Sequence, residues 1–533
     1  MHSEEKLTKK KEAAAEEIRP AAVADAGNGR RLLNTAVLLS VLGIASRGFG
    51  FLREIIFASA FGLNYNFDVY LVGAVIPVII NTSVVYLAQN YFIPEYHRKK
   101  SQSQESAETF FRSVFALFGA AGLLLTICLF FSSGAIISSY LGNSAPADSV
   151  VLTGRIFRIF ILTIPLNALF AVMAALEQSE SEFLHPAVSP LLLNLLVITA
   201  VIAFDNTLGI LTIPIGNLAG CALQFLYMLF VVKKRMNMKL GFSRGYFSGI
   251  TKTLSWPLLL IVLIELTGQL NLLIDRYFYS YVDNGGISSM NYALTLFTLP
   301  VTVFSFAAST VIFPEFSRQF SASQHTELEY SFTRALRALI IFFIPIMMLF
   351  YFFGDVFVRI LFERGEFSAA GTQMTYEVLK MLSLSLVFYS AYSVVNKLIY
   401  SSGLAKQLFW LSVVALLVKT ILSYYLVMAF RQSGLALATS ISYILLSICG
   451  YLIVKQKLKF KNAWLLLKTV VLYSAAALLV IFSLRSIVSL FAGDNPAGKY
   501  LTVFLFVVLY AAIVFFGRGQ KKSGTIDWHR FRI

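Results

Sequence analysis

Runs of about 20 apolar residues recur along this chain from Leu32 to Phe516, each long enough to cross a hydrocarbon core of ~30 Å as a helix. Inside lipid a backbone must satisfy its own hydrogen bonds, which helices do within one segment. A transmembrane barrel would instead show short alternating strands. Fourteen spans are predicted, at 33–60, 68–93, 110–131, 151–176, 186–204, 209–232, 253–281, 287–313, 332–353, 373–402, 407–428, 434–454, 464–484 and 498–517. The first and tenth are long enough to tilt or break, and Gly43, Gly48 and Gly50 offer a break in the first. Charged residues make up 14% of the chain, against about 25% in soluble proteins, and mean hydropathy is +0.73. The fold class is an all-α polytopic membrane protein.

A net charge of +16 would suggest nucleic acid in a soluble chain. Here the basic residues fall in loops on one side: the N-terminal tail, the 97–100 turn, the 233–252 loop, the 455–461 loop and the C-terminal tail. The alternate loops near 61–67, 132–150, 205–213 and 282–287 hold no Lys or Arg. With fourteen spans all the basic clusters, and both termini, share the cytoplasmic side. The 177–185 loop carries Glu177, Glu180 and Glu182 without a basic residue, which that rule does not score. No nucleic-acid partner is expected. Residues 1–31 lack the apolar core of a signal peptide and read as a disordered cytoplasmic tail, as do 518–533 at the other end. Cys128, Cys221 and Cys449 lie in apolar segments, the five histidines have no metal-ligand spacing, and no P-loop is present. No metal and no cofactor are expected.

Charges inside apolar runs are costly, roughly 2.5–3.5 kcal/mol each on insertion scales, and face water, a partner or a ligand. Arg47 and Arg53 lie in the first span and Asp68 opens the second. Glu265, Gln269, Asp275 and Arg276 lie in the seventh, Lys419 in the eleventh, and Asn81, Gln89 and Asn90 in the second. Two stretches also repeat. Arg53 precedes Pro77, and Arg276 precedes Pro300, by 24 residues each; Phe92/Pro94/Glu95/Tyr96 and Phe313/Pro314/Glu315/Phe316 then close the two segments. The offset equals six spans, so the halves share one topology and enclose a site at their interface. Two six-helix lobes (32–235 and 252–455) around a central cavity, followed by two extra helices (464–517), are predicted.

The motifs SRGFGFLREIIFASAFG, FDVYLVGAVIP, HPAVSPLLLNLLV, MNYALTLFTLP, TVIFPEFSR, RILFERGEFS and GLALATSIS, in this order, resemble the lipid II flippases (MurJ, also called MviN) of the multidrug/oligosaccharidyl-lipid/polysaccharide exporter superfamily. The resemblance implies a V of two lobes, alternating access, and transfer of an undecaprenyl-diphosphate-linked saccharide from the inner to the outer leaflet of the bacterial cytoplasmic membrane. It implies that spans thirteen and fourteen form a groove for the prenyl tail. Of the family's cavity arginines, Arg47 and Arg53 match, as does the acidic Asp68. The others fall at Asn81 and Thr295, with Leu294 in place of an acid, so part of the usual cationic lining is missing. Some relatives bind sodium near the eleventh span through an amide and a carboxylate; the matching positions here are Lys419 and Ser423.

A guanidinium donates paired hydrogen bonds to a diphosphate, which suits Arg47 and Arg53 to the head group. Six residues apart, they sit about 120° apart on an ideal helix, and a bend at Gly48 or Gly50 would make them converge. The alternative is structural pairing, Arg47 with Glu54 or Arg53 with Asp68. Asn81, Gln89 and Asn90 suit sugar hydroxyls, or hydrogen bonds between helices. Glu265, Gln269 and Arg276 share one helical face, as a polar wall or a cation site; an Asp275–Arg276 pair is the plainer reading. Lys419 replaces a bound cation by pairing with Glu265 or Asp275, or snorkels. The 363–366 turn reads as structural. Transport would be driven by membrane potential, a monovalent cation gradient or consumption of product. The chain is expected to act as a monomeric transporter rather than an enzyme, partnered by its lipid-linked substrate and membrane lipids. An O-antigen or exopolysaccharide flippase, a drug/cation antiporter and a membrane glycosyltransferase are the rival functions.

Overall fold

The computed structural model describes residues 42–43, 45–141, 146–236, 256–461, 463–492 and 496–516. Both tails and most of the 233–252 loop lie outside the described residues.

Helix α1 spans 45–61. The first half continues with α2 (Tyr65–Lys100), α3 (Gln104–Leu141), α4 (Ala147–Ile161), α5 (Thr163–Ser179), α6 (Leu184–Leu208) and α7 (Thr212–Met236). The second half holds α8 (Trp256–Tyr277), α9 (Gly286–Pro300), α10 (Phe306–Ser321), α11 (His325–Phe362), α12 (Ala369–Ser383), α13 (Leu386–Ser401) and α14 (Ala405–Leu458). Two further helices, α15 (Ala463–Ala492) and α16 (Pro496–Phe516), lean on α11.

Among the described residues, nine segments are long and apolar enough to cross a membrane, and α12 with α13 form a tenth, bent by 49°. Two of these segments are double. One joins α6 to α7 across Gly209, whose φ of +53° turns the chain back so that the two helices pack side by side. The other is the 54-residue α14, about 80 Å if straight, far more than a bilayer needs. It folds back at Arg431 (φ 51°, ψ −133°): Ser442 Oγ donates to the Ala415 carbonyl at 3.1 Å. Helices α1 and α8 are the two remaining crossings. They carry the charges singled out in the sequence. The fourteen crossings read from the sequence are thus present.

The tenth span breaks, as its length suggests. The first does not bend at Gly48 or Gly50, since helix runs unbroken through 45–61. The eighth breaks after Pro300, where five residues of π-helix (Val301–Ser305) separate α9 from α10. Within each half the helices pack chiefly on one another, while α2 also lies against α8. The largest core crosses between halves: the Phe67 ring stacks on Tyr292 (5.5 Å), which meets Phe362 and Phe367.

The acidic 177–185 loop has a partner. Lys100, ending α2, donates to Glu180 Oε1 at 2.6 Å, and the Tyr96 hydroxyl donates to the same oxygen at 2.8 Å. Burial pushes the Glu180 carboxyl up, but the Lys100 ammonium and the Tyr96 hydroxyl outweigh it and hold the group below the usual carboxylate range. The loop neutralises part of the basic 97–100 turn beside it.

Candidate functional site

Helix α1 runs between the halves, and its charges bind to both. Arg53 donates to Asn194 Oδ1 of α6 (3.1 Å) and to Glu54 Oε1 (2.8 Å), and lies over the Phe57 ring at 5.5 Å. Its Nε–H is buried and has no hydrogen-bond partner. The second oxygen of Glu54 accepts from Asn291 Nδ2 of α9 at 3.0 Å. Asn291 Oδ1 in turn accepts from Arg276 Nη2 (3.1 Å), and Arg276 Nη1 donates to the Ile287 carbonyl (3.1 Å). A polar chain thus crosses the junction from α6 through α1 to α9 and α8. Arg47, two turns earlier and exposed, donates to the carbonyl of Thr302, inside the π-helical break. Neither sequence-based pairing forms: Arg53 takes its neighbour Glu54, and Arg47 takes a backbone carbonyl.

Asp68 differs most from its expected place in the cavity wall. It is 1% exposed, and its carboxylate accepts from Gly285 N and Ser288 N, both at 2.7 Å, and from the Ser288 hydroxyl. It caps the N-terminus of α9 from the other half, where free N–H groups and the helix dipole favour an anion. Gly285, at φ +81°, shapes the turn that presents those donors, and a Cβ there would lie 2.8 Å from the Leu63 carbonyl. Nearby, Glu366 N donates to the Ser59 carbonyl at 2.9 Å. The 363–366 turn is therefore structural, as read, but its structure joins the halves. These bonds gather at the end of the molecule where α1 gives way to α2, and they fasten that end shut.

Toward the other end the side chains are looser. Asn81 donates to Thr163 Oγ1 at 2.7 Å, tying α2 to α5, and leaves its Oδ1 unpartnered. Asn90 bonds the Tyr86 carbonyl of its own helix (2.9 Å), and Gln89 is half-buried. Gln269 donates to Glu265 at 2.8 Å, and that carboxylate lies within electrostatic reach of Tyr86, Tyr389 and Tyr400. Arg276 shares their helical face, but is buried in the junction above rather than beside them.

Lys419 does not snorkel. Its ammonium is 1% exposed, pairs with Asp275 at 2.9 Å and donates to the Asn271 carbonyl at 2.9 Å. Asp275 therefore pairs with Lys419. Ser423, one turn beyond Lys419, keeps a buried hydroxyl without a hydrogen-bond partner. Among the described residues no group of acidic, His and Cys side chains could hold a metal ion.

Sequence reasoning missed Asn194 and Asn291, which link the charges. Each is a lone amide in an apolar span, the signal that singled out Asn81.

The family model described as lipid II flippase MurJ matches residues 57–511. A probable lipid II flippase MurJ of Borreliella burgdorferi is 26% identical over 79% of this chain and 83% of its own length. The lipid II flippase MurJ of Thermosipho africanus is 26% identical over 78% and 84%. A solved lipid II flippase MurJ in an inward closed conformation superposes with a TM-score of 0.78, covering 90% of this chain and 99% of that one at 24% identity. An inward-facing transporter of the multidrug resistance MATE family, at 13% identity, gives 0.66 over 79% and 98% and shares the fold.

Proposed function

Because the chain belongs to the lipid II flippase MurJ family, we propose that it carries an undecaprenyl-diphosphate-linked saccharide, lipid II, from the inner to the outer leaflet of the bacterial cytoplasmic membrane. It works by alternating access as a monomer, with both termini in the cytoplasm. The basic loops of the sequence support that orientation, and it makes the fastened end the outer one.

The Arg53 guanidinium carries the reading. It sits between the two halves, anchored by Asn194 and Glu54, with one N–H uncommitted. Anchored on one edge, a guanidinium can still offer a phosphate oxygen its other donors. Arg47, exposed one side of it, adds a second cation for the diphosphate. Gln89, Asn90, Glu265 and Gln269 offer hydrogen-bond partners to sugar and peptide groups. The prenyl tail runs along α15 and α16, whose outward faces are apolar (Phe482 54% exposed, Phe504 65%).

The ammonium of Lys419 supplies Asp275 with the positive charge that a bound monovalent cation would otherwise supply. The cycle then needs no such ion, and the membrane potential drives outward movement of the anionic head, at about 2.3 kcal/mol per charge per 100 mV. Arg53→Ala tests the reading. Cells depleted of the native protein and supplied with this variant should insert it normally and accumulate the lipid-linked precursor inside. Normal growth and outer-leaflet precursor with the variant would remove the diphosphate role, and strict dependence of transport on sodium would remove the role given to Lys419.

A further inference from the structure

A cavity of about 240 Å³ lies between α11, α12, α15 and α16, away from the junction of the halves. A break in α11 hollows it out: Phe353 leaves helical geometry (φ −134°, ψ 23°), and the Tyr376 hydroxyl donates to the Tyr351 carbonyl at 2.9 Å, beside the break. Its wall carries Asp355, Gln373, Tyr376, Arg485, Lys499 and Thr502. Most of these are engaged. Lys499 pairs with Asp355 at 2.7 Å, Gln373 bonds Glu377, and Thr502 bonds the Gly498 carbonyl. Arg485 is exposed, and among the described residues it makes no hydrogen bond or ion pair. Among the described lining residues two cations face one carboxylate, one positive charge in excess.

Its depth and flanks add to this. Asp355 lies seven residues before the end of α11, Arg485 seven before the end of α15, and Lys499 three after the start of α16. At 1.5 Å per residue the polar groups sit about 5–10 Å inside the helix ends, the level of lipid head groups and glycerol. Phe482 packs on Phe352 at the cavity (5.8 Å), and Phe482 and Phe504 expose apolar surface toward the bilayer. A bilayer-level pocket with one uncommitted guanidinium and an apolar flank matches one kind of molecule.

We propose that this cavity binds the monoanionic phosphodiester head group of a membrane phospholipid, with Arg485 as its charge partner and the acyl chains in the bilayer beside the cavity. The single excess charge fits a phosphodiester better than a diphosphate, so the bound lipid is a resident and not the transported molecule. Its place in the outer leaflet rests on the orientation proposed above; the binding itself does not.

Native mass spectrometry of the full-length protein, titrated with phosphatidylglycerol or phosphatidylcholine, tests this. The unsubstituted protein should retain phosphatidylglycerol in preference. Arg485→Gln should lower that retention about fivefold, the worth of roughly one cation near an anionic surface, and leave phosphatidylcholine unchanged. Ser489→Glu, which adds a negative charge at the exposed rim of the cavity, should lower it too. Equal retention of phosphatidylglycerol in both variants would overturn the proposal, as would equal retention of the two lipids by the unsubstituted protein. Displacement of phosphatidylglycerol by inorganic phosphate, dependent on Arg485, would make the ligand a free anion and overturn the lipid assignment. Labelling of Ser489→Cys by an impermeant maleimide only from the cytoplasmic side would reverse the leaflet while leaving the lipid retention standing.

Discussion

Replacing Asp68 by Asn should loosen the fastened end of the molecule without unfolding either half. The native carboxylate accepts two backbone N–H groups and a hydroxyl across the junction. Asparagine is nearly the same shape, but it offers one acceptor oxygen and puts an N–H₂ where the second oxygen stood. One backbone N–H of the α9 turn then loses its partner, at about 1–3 kcal/mol for a buried donor. The charge at the helix N-terminus is lost as well, worth roughly 0.3–1 kcal/mol and up to about 2 when partly buried. Taking about 3 kcal/mol together, the closed-to-open ratio of this end falls by a factor of roughly 150, at 1.4 kcal/mol per decade. The assay is labelling of Ser289→Cys, a fully buried position beside the seam, by an impermeant maleimide added outside. Cys128, Cys221 and Cys449 are first replaced by Ser. Asp68→Asn should speed labelling at 289 by well over tenfold, with no change at an exposed control, Ser138→Cys. Equal rates at 289 in a correctly inserted protein would show that Asp68 does not hold this end closed.

Three other outcomes follow from the same geometry. Gly365 sits at φ +56°, with an added Cβ only 2.2 Å from the Ser59 carbonyl, so Gly365→Ala should cost at least about 1–2 kcal/mol from backbone strain and raise labelling at 289 as well. Lys419→Met or Asp275→Asn alone leaves a buried group without its partner and should lower stability by about 3–5 kcal/mol, whereas the double variant should recover most of it; thermal unfolding of all four proteins in detergent gives the coupling, and additive losses would refute it. The Glu180 carboxyl is held below its ordinary value, so its contribution exists above the unfolded-state value near ~4.3 and fades as pH falls through the lower folded value. The stability gap between the native protein and Glu180→Gln, at most about 1 kcal/mol for so exposed a pair, should be present at neutral pH and close on acidification.

The crossings were legible because each must be apolar for about 20 residues, a constraint written into every position. The broken tenth span was legible from its excess length. The partners of the charges were not. Arg53 had Glu54 beside it in sequence and Asp68 a loop away, and nothing in the spacing says that Asp68 turns instead to the start of a helix some 220 residues on. Lys419 was correctly matched to Asp275 as one of two acids, because a buried ammonium demands a carboxylate and few were available. The 363–366 turn reads as structural from its compensating charges, while the contact that matters is made by its backbone.

That last contact has a consequence for how such proteins diverge. Ser59 and Glu366 meet through peptide groups, and Asp68 grips peptide groups on α9, so most side chains around the closure can change without loosening it. What cannot change are Gly62, Gly285 and Gly365, where any Cβ would collide with the opposing main chain. Relatives that keep this closure should hold three glycines fixed amid otherwise drifting loops, and a relative lacking them would have to rest in a different posture.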